Sequence, residues 1–466
     1  MQSSNPVVPT LALSVLVGLG AMTTASVSDA AAPPRRPVVQ QEFWAHYDKK
    51  DWGAAIQEAT QLVDRARANA GQQPLALVTA LTLLGNAQLS GGDKVSAEAS
   101  YREALLIAEQ QTGAASPVLL DPLRGLGYSL ALLERHPEAI PVLERALIIS
   151  RRSQGLFDPS QQGMLRQLAS SLTHEGRIAD AEKQVLYLLR IGEQAYGKRD
   201  PRMAPVLCVV GSWYVDTGYF TLGRDRFRDA IALVERKLGK NDPALVEPLR
   251  ALARSYTQEI FFVAQGYQPQ HEYPQQAGFN GPEPKAINPK YLSGDGEKAL
   301  ERALAILDAR PDTKPMQLTE TLIQLGDWHQ VKHQPEQALV YYRRAAVVVA
   351  SMSEPSPEAA AALSFPVRLY YPLPPLAMRN RQLSPERTDE KYVSVEFTVT
   401  GMGDVQDAKV VEQSGTSRQA SEALEAIRAS RFRPKFVNGE PVDTQGVVNR
   451  EIFRTRKAEP DEEKQS

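Results

Sequence analysis

The sequence predicts an α-helical solenoid followed by a small α+β domain. Three observations lead to this prediction. Small residues recur every 42 residues, capping residues followed by proline recur with the same period, and a C-terminal segment replaces helical periodicity with period-two alternation. A fixed period of this length is typical of stacked supersecondary units, each of which buries its apolar face against its neighbours.

The repeat is defined by a small residue in the middle of the first helix of each unit. These residues are Gly85, Gly127, Ala169, Gly211 and Ala253. In four units a second small residue follows, and a larger residue comes four positions after it. The larger residues are Tyr101, Leu143, Val185 and Phe227. Small residues let two helices approach closely while the larger ones fill the seam, so each unit is predicted to be a helical hairpin.

A capping residue and a proline mark the start of four hairpins. The pairs are Ser116-Pro117, Asp158-Pro159, Asp200-Pro201 and Asp242-Pro243. A side-chain oxygen at N-cap accepts a hydrogen bond from a free backbone N–H, and proline suits the first helical position. Residues 40–352 are therefore predicted to form the array, with a last unit at Gly326, Ala338 and Tyr342.

One hairpin turn contains an insert. Ala253 and the matching Ala299 are 46 residues apart where 12 are usual, so about 34 residues are added at about 258–295. The insert is rich in Tyr, Gln, Pro and Gly, a composition that predicts a surface loop without a core of its own.

The repeats, with hairpins such as Gly127-Tyr128 to Pro137-Glu138-Ala139-Ile140, resemble the tetratricopeptide family in the 42-residue variety of kinesin light chains. The resemblance implies a superhelix with a concave, peptide-binding groove, and it implies which positions face that groove. These positions hold Asn86, Arg124, Tyr128, Arg166, Arg250 and Arg254. A row of guanidinium groups would suit a carboxylate-bearing peptide. Solvated or internally paired arginines are the alternative.

A second domain is predicted after the array. Residues 353–365 contain two prolines and are predicted to be a linker. Residues 392–399 alternate apolar and polar side chains and turn at Gly401 to Gly403 into a second strand. A helix and a final strand at 447–453 complete a module at 366–456, and the charged tail at 457–466 is predicted to be disordered.

The module resembles the TonB C-terminal domain. The matching motifs are Tyr371-Pro372, Gly403-Asp404-Val405, Arg431-Phe432-Arg433-Pro434 and Asn438-Gly439-Glu440-Pro441-Val442. The resemblance implies a periplasmic domain of Gram-negative bacteria that binds an extended peptide of an outer-membrane transporter by adding a strand to a sheet edge. The implied edge consists of Val447, Val448, Asn449, Arg450, Glu451, Ile452 and Phe453.

The N-terminus predicts export. An apolar stretch from Val7 to Ala25 precedes small residues and two prolines, which predicts a signal peptide within residues 1–30 and a periplasmic location. The first six residues contain no Lys or Arg, and the apolar stretch approaches the ~18 residues that can span a membrane. An inner-membrane anchor is therefore the alternative, and membrane contact is expected only in that case.

Enzymatic, metal-binding and nucleic-acid-binding functions lack support in the sequence. A formal charge of -2 predicts no strong field toward nucleic acid. His329 and His333 lack the glutamate of a zinc hydrolase, and a metal needs three or four ligands. Cys208 is the only cysteine, so no intramolecular disulfide is possible, and no base is suggested beside it. We therefore expect no catalytic residues and no cofactor.

The sequence thus predicts a non-enzymatic adaptor of the cell envelope, whose partners are proteins or peptides that include, as one candidate, an outer-membrane transporter. The alternative is a TonB-type energy transducer anchored in the inner membrane. Transducing members of that family have a functional histidine in the anchor and a long proline-rich spacer. Residues 7–25 contain no histidine, and a helical array stands in place of the spacer. An enzyme with its site in the insert or the groove is a third, weaker hypothesis.

Overall fold

The computed structural model describes residues 40–266, 294–352, 359, 361–378 and 388–457. The predicted signal peptide or anchor lies outside these residues, as do most of the predicted insert, residues 353–358 of the predicted linker and the tail after Lys457. The described residues form two compact units, which divide between Trp213 and Tyr214.

Fourteen helices in the described part of residues 40–352 form consecutive helix–turn–helix hairpins. They are α1 Gln41–Asp48, α2 Trp52–Ala68, α3 Pro74–Ser90, α4 Lys94–Thr112, α5 Leu120–Leu132, α6 His136–Gln154, α7 Gln161–His174, α8 Ile178–Tyr196, α9 Met203–Asp216, α10 Phe220–Leu238, α11 Val246–Ala264, α12 Gly294–Asp308, α13 Pro315–Val331 and α14 Pro335–Ala350. The predicted helical array is confirmed. Residues 258–264 of the predicted insert belong to α11.

The predicted capping residues hold the starts of four hairpins. In each, a side-chain oxygen accepts a hydrogen bond from the backbone N–H two residues later. The pairs are Ser116 with Val118 at 3.3 Å, Asp158 with Ser160 at 2.9 Å, Asp200 with Arg202 at 2.9 Å and Asp242 with Ala244 at 2.9 Å. Proline opens a 3-10 turn before the helix at Pro117–Leu119 and at Pro243–Leu245. In the other two hairpins it lies in a turn that ends before the helix begins.

Small residues permit the close helix contacts of the hairpins. The Tyr101 ring of α4 is fully buried between Gly85 of α3 and Gly125 of α5. A Cβ atom would lie 2.7 Å from this ring at Gly85 and 2.2 Å from it at Gly125. The Tyr101 hydroxyl donates a 2.7 Å hydrogen bond to Asn86 Oδ1, which fixes the ring between the two glycines.

The C-terminal module contains seven short or medium strands and two helices among its described residues. They are β1 Val367–Tyr370, α15 Pro375–Met378, β2 Thr388–Val399, β3 Val405–Gln413, α16 Ser417–Arg428, β4 Arg431–Arg433, β5 Lys435–Val437, β6 Glu440–Val442 and β7 Thr444–Arg456. The predicted hairpin, helix and last strand are present. The structure adds β1, β4, β5 and β6, because strands of three or four residues are too short to show periodicity.

The strands form one three-stranded antiparallel sheet in the order β3-β2-β7 and two small pairs, β1-β4 and β5-β6. The inner face of β2 supplies Val393, Val395 and Phe397 to a core shared with α16 and Phe453. Asn438 and Gly439 join β5 to β6 with φ values of 52° and 84°. Positive φ at both positions is what a two-residue hairpin turn requires, so Asn-Gly suits this turn.

We predict that Gly125→Ala lowers the free energy of unfolding by about 1–3 kcal/mol, since the new methyl group overpacks the immobilised Tyr101 ring. The loss should appear although alanine in a helix is favoured over glycine by up to ~1 kcal/mol. Urea unfolding followed by circular dichroism measures it. Gly71→Ala is the control, because nothing lies within 4 Å of a Cβ atom at that position. Equal stability of the two variants would contradict the packing argument.

Candidate protein-binding surfaces

The strand β7 forms one edge of the three-stranded sheet. It pairs with β2 from Thr388 opposite Arg456 to Val399 opposite Thr444. Among the described residues, no strand pairs with its other side. Unpaired N–H and C=O groups along a sheet edge are a template for an added strand. β7 spans 13 residues and includes every residue of the predicted pairing edge.

One face of β7 combines exposed apolar residues with paired arginines. Val448 and Ile452 are 51% and 39% exposed. The Arg450 guanidinium lies 3.7 Å from the centroid of the Tyr392 ring and 3.3 Å from Glu412. Arg454 lies 3.0 Å from Glu390. Both arginines are therefore engaged by neighbouring strands, while the two aliphatic side chains remain available to a partner.

The opposite face of β7 is anchored to the segment that precedes the sheet. Arg368 donates a 2.8 Å hydrogen bond to Asn449 Oδ1, and the Tyr371 hydroxyl donates one of 2.5 Å to Glu451. The Arg368 guanidinium also lies 4.5 Å from the centroid of the Tyr371 ring. Burial and the Glu451 charge raise the pKa of Tyr371 well above its usual value, so the phenol stays protonated and donating. Sequence reasoning did not assign these contacts.

Three of the predicted groove residues lie near one another in the compact unit that ends at Trp213. Burial raises the pKa of Tyr128, and the positive charges of Arg124 and Arg166 oppose that rise. Arg124 makes a 2.8 Å ion pair with Asp121 and keeps 39% of its side chain exposed. Asn86 is engaged with Tyr101, as described above. Arg124, Tyr128 and Arg166 therefore remain the predicted contacts for a carboxylate in this unit.

The other two predicted groove arginines lie in the compact unit that begins at Tyr214. Arg250 is buried, and its guanidinium lies 2.7 Å from Glu320 and donates a 3.2 Å hydrogen bond to Gln324. Arg254 lies 3.8 Å from Glu247. A buried arginine whose fork is occupied can bind another carboxylate only by displacing the first, so Arg250 has a structural role here.

Asp216 is a neighbour of Arg254 that sequence reasoning missed. Its side chain keeps solvent contact, although protein atoms surround much of it. Loss of hydration raises its pKa to about 6, against the opposing charge of Arg254 and a hydrogen bond with Gln258. A single Asp before a Thr-Gly turn has no sequence signature that distinguishes it from a solvated residue.

The histidines considered as metal ligands have other partners. His329 is buried, with Nδ1 2.9 Å from Gln334 Oε1 and its ring stacked on Tyr341. His333 Nδ1 accepts a 3.0 Å hydrogen bond from Arg431 Nε. Within the described residues, no group of three or more His, Cys, Asp or Glu side chains could hold a metal ion.

Residues 385–453 match the model of the Gram-negative bacterial TonB protein C-terminal family. The C-terminal module is a TonB-type domain. No curated protein has a sequence that matches this chain.

Solved structures similar to this chain include one with TPR-like repeats. A Podosopora anserina kinesin light chain with nearly identical TPR-like repeats is 14% identical, with a TM-score of 0.39 over 50% of this chain and 97% of that one. BtubC of P. vanneervenii is 18% identical, with a TM-score of 0.36 over 69% and 96%. The apo form of RapI is 12% identical, with a TM-score of 0.44 over 70% and 78%. These likenesses concern the fold alone.

Residues of three family motifs have defined places in the fold of the TonB-type module. Arg431 to Arg433 form β4, and Tyr371 contacts β7 through Glu451. Gly403 ends the turn between β2 and β3 with a φ of 81°.

None of the described helices is long and apolar enough to cross a membrane.

Proposed function

We propose that the chain is a non-enzymatic protein-binding adaptor of the Gram-negative cell envelope that acts in the periplasm. The helical array binds one protein or peptide, and the TonB-type module pairs with an extended segment of another. A periplasmic segment of an outer-membrane transporter is the proposed partner of the module. The single observation that carries the proposal is that no strand among the described residues pairs with one side of β7, in a module of a Gram-negative family.

Strand addition at β7 explains how such a segment would bind. Backbone hydrogen bonds along the free side would supply sequence-tolerant affinity, while side chains beside Val448 and Ile452 would supply specificity. The sheet has a second edge at β3, whose exposed face includes Val411 at 47% exposure. The contacts of Arg368 and Tyr371 hold β7 in place from the inner face, so its free side is a rigid template.

The test of the β7 proposal uses synthetic peptides from the periplasmic ends of outer-membrane transporters and isothermal titration calorimetry. In an added strand only alternate N–H groups face the sheet edge. N-methylation at alternate positions should therefore abolish binding in one register and spare it in the other. Loss of binding in both registers, or in neither, would argue against strand addition.

Two matched valines identify the edge. Val448→Glu on β7 should weaken peptide binding about tenfold or more, since it removes an apolar contact beside the added strand and adds a charge. Val411→Glu on β3 is the control and should leave the affinity within about twofold. The reverse pattern would move the binding edge to β3 and overturn the assignment to β7.

For the array, we propose that Arg124 and Arg166 bind a carboxylate-bearing peptide beside Tyr128. A charge-assisted hydrogen bond contributes about 1.5–3 kcal/mol, so Arg124→Gln combined with Arg166→Gln should weaken such binding at least tenfold. The probe is a library of fluorescent peptides with free C-terminal carboxylates, compared with their C-terminal amides. Arg190→Gln, at an exposed position of α8, is the control. Equal affinity of acids and amides would remove the carboxylate from the proposal.

The proposed location is tested by the intact mass of the protein recovered from fractionated cells. A periplasmic species that begins near Ala30 is the expected result for the adaptor. A full-length species in the inner membrane would instead support the anchored energy transducer.

A further inference from the structure

The last hairpin of the array repeats a hydrogen bond of an earlier hairpin with one change of residue type. Asn86 follows Gly85, and Tyr101 donates a 2.7 Å hydrogen bond to its Oδ1. In the last hairpin, Asp327 follows Gly326, and Tyr342 donates a 2.8 Å hydrogen bond to the Asp327 Oδ1. The geometry is repeated, but the amide is replaced by a carboxylate. A partly buried carboxylate needs a cation as partner.

The cation comes from the C-terminal module. Arg433 donates through Nε to Asp327 Oδ1 at 2.9 Å and through Nη2 to Asp327 Oδ2 at 2.7 Å. Its Nη1 donates to the carbonyl of Ala362 at 2.8 Å. The side chains of Arg433 and Asp327 are only 12% and 21% exposed. This two-pronged pair is the geometry in which arginine recognises a carboxylate most specifically.

Around this pair, the module supplies part of the hydrophobic core of the hairpin. Phe436 of β5 is buried among Leu322, Tyr342 and Leu363, and it does not belong to the core of the module itself. Its backbone N–H donates a 2.8 Å hydrogen bond to the carbonyl of Leu363. The end of the array is therefore covered by a residue of the module, as a capping repeat would cover it.

Three further hydrogen bonds join the module to the array. Gln330 of α13 is buried and donates a 2.7 Å hydrogen bond to the carbonyl of Met402, and a Cβ atom at Gly403 would lie 2.0 Å from its amide nitrogen. At the end of α11, the carbonyl of Ala264 accepts a 2.9 Å hydrogen bond from the backbone N–H of Leu373. Gln265 donates another of 2.9 Å to the carbonyl of Tyr371.

We propose that Asp327 is a built guanidinium site of the last hairpin which the chain fills with its own Arg433, so that the TonB-type module is the fixed C-terminal cap of the array. Asp327 occupies the position equivalent to Asn86, which is predicted to face a ligand. In the last hairpin the partner at this position is Arg433 of the same chain. The module therefore presents β7 from a rigid body that includes α11, α13 and α14. The intramolecular contact between Asp327 and Arg433 does not depend on what β7 binds.

Hydrogen exchange of the full-length protein tests the proposal. Asp327→Asn leaves the Arg433 charge buried without a counter-charge, so exchange of the Phe436 and Leu373 amides should accelerate on the order of 100-fold. Arg343→Gln is the control, because it removes the exposed 3.0 Å pair with Glu440 that joins the same two parts of the chain. It should change exchange less than twofold. Unchanged exchange in Asp327→Asn would overturn the anchor role.

A second measurement needs no variant that could fail to fold. ¹⁵N relaxation of the wild-type protein should give the module and the helices α11, α13 and α14 one common rotational correlation time. A shorter correlation time for the module would show a tether and overturn the cap.

The double variant Asp327→Asn with Arg433→Gln removes both buried charges. Its Phe436 and Leu373 amides should exchange more slowly than those of Asp327→Asn alone. Simple additivity of the two substitutions would also contradict the pairing.

Discussion

Close contact between helices at one small residue per hairpin is the constraint on which the array depends. The distance between two packed helices is set by the side chains at their crossing point, so a glycine there brings the backbones together. Tyr101 fills the space that Gly85 and Gly125 leave, and its hydroxyl fixes Asn86. The residue after each small one thus has a set position relative to the partner helix, which is why equivalent residues can be compared along the array.

Arginines at equivalent positions of the array differ in their burial and in their partners. Arg124 keeps considerable exposure and lies near Tyr128 and Arg166, whereas Arg250 is buried against Glu320. A buried pair adds little net stability because desolvation offsets the Coulomb attraction, yet breaking one partner is costly. Arg250 and Arg433 therefore specify how neighbouring parts pack.

The contacts of the TonB-type module with the last hairpin and the edge strand of its sheet lie on different parts of its surface. Its short strands β4 and β5 carry Arg433 and Phe436 into the last hairpin, while no described strand pairs with the outer side of β7. The Tyr371 segment serves both, since it binds the end of α11 through Gln265 and holds β7 through Glu451. A strand that binds a partner by its backbone gains affinity when it is held rigid, because less order has to be created on binding.

The sequence by itself determined the hairpin array, its capping residues and the strand pattern of the module, because each depends on local periodicity or on a residue's neighbours in the chain. It also indicated Gly326 and Tyr342 as the last unit. Only the tertiary structure decided that Asp327 meets Arg433, 106 residues away, and that Arg250 meets Glu320. Pairs so distant in sequence leave no periodic signal. The sequence also does not distinguish an arginine that becomes buried from one that stays exposed. Among the described residues, the strand order also leaves one side of β7 without a partner strand, and this order depends on which strands meet in space.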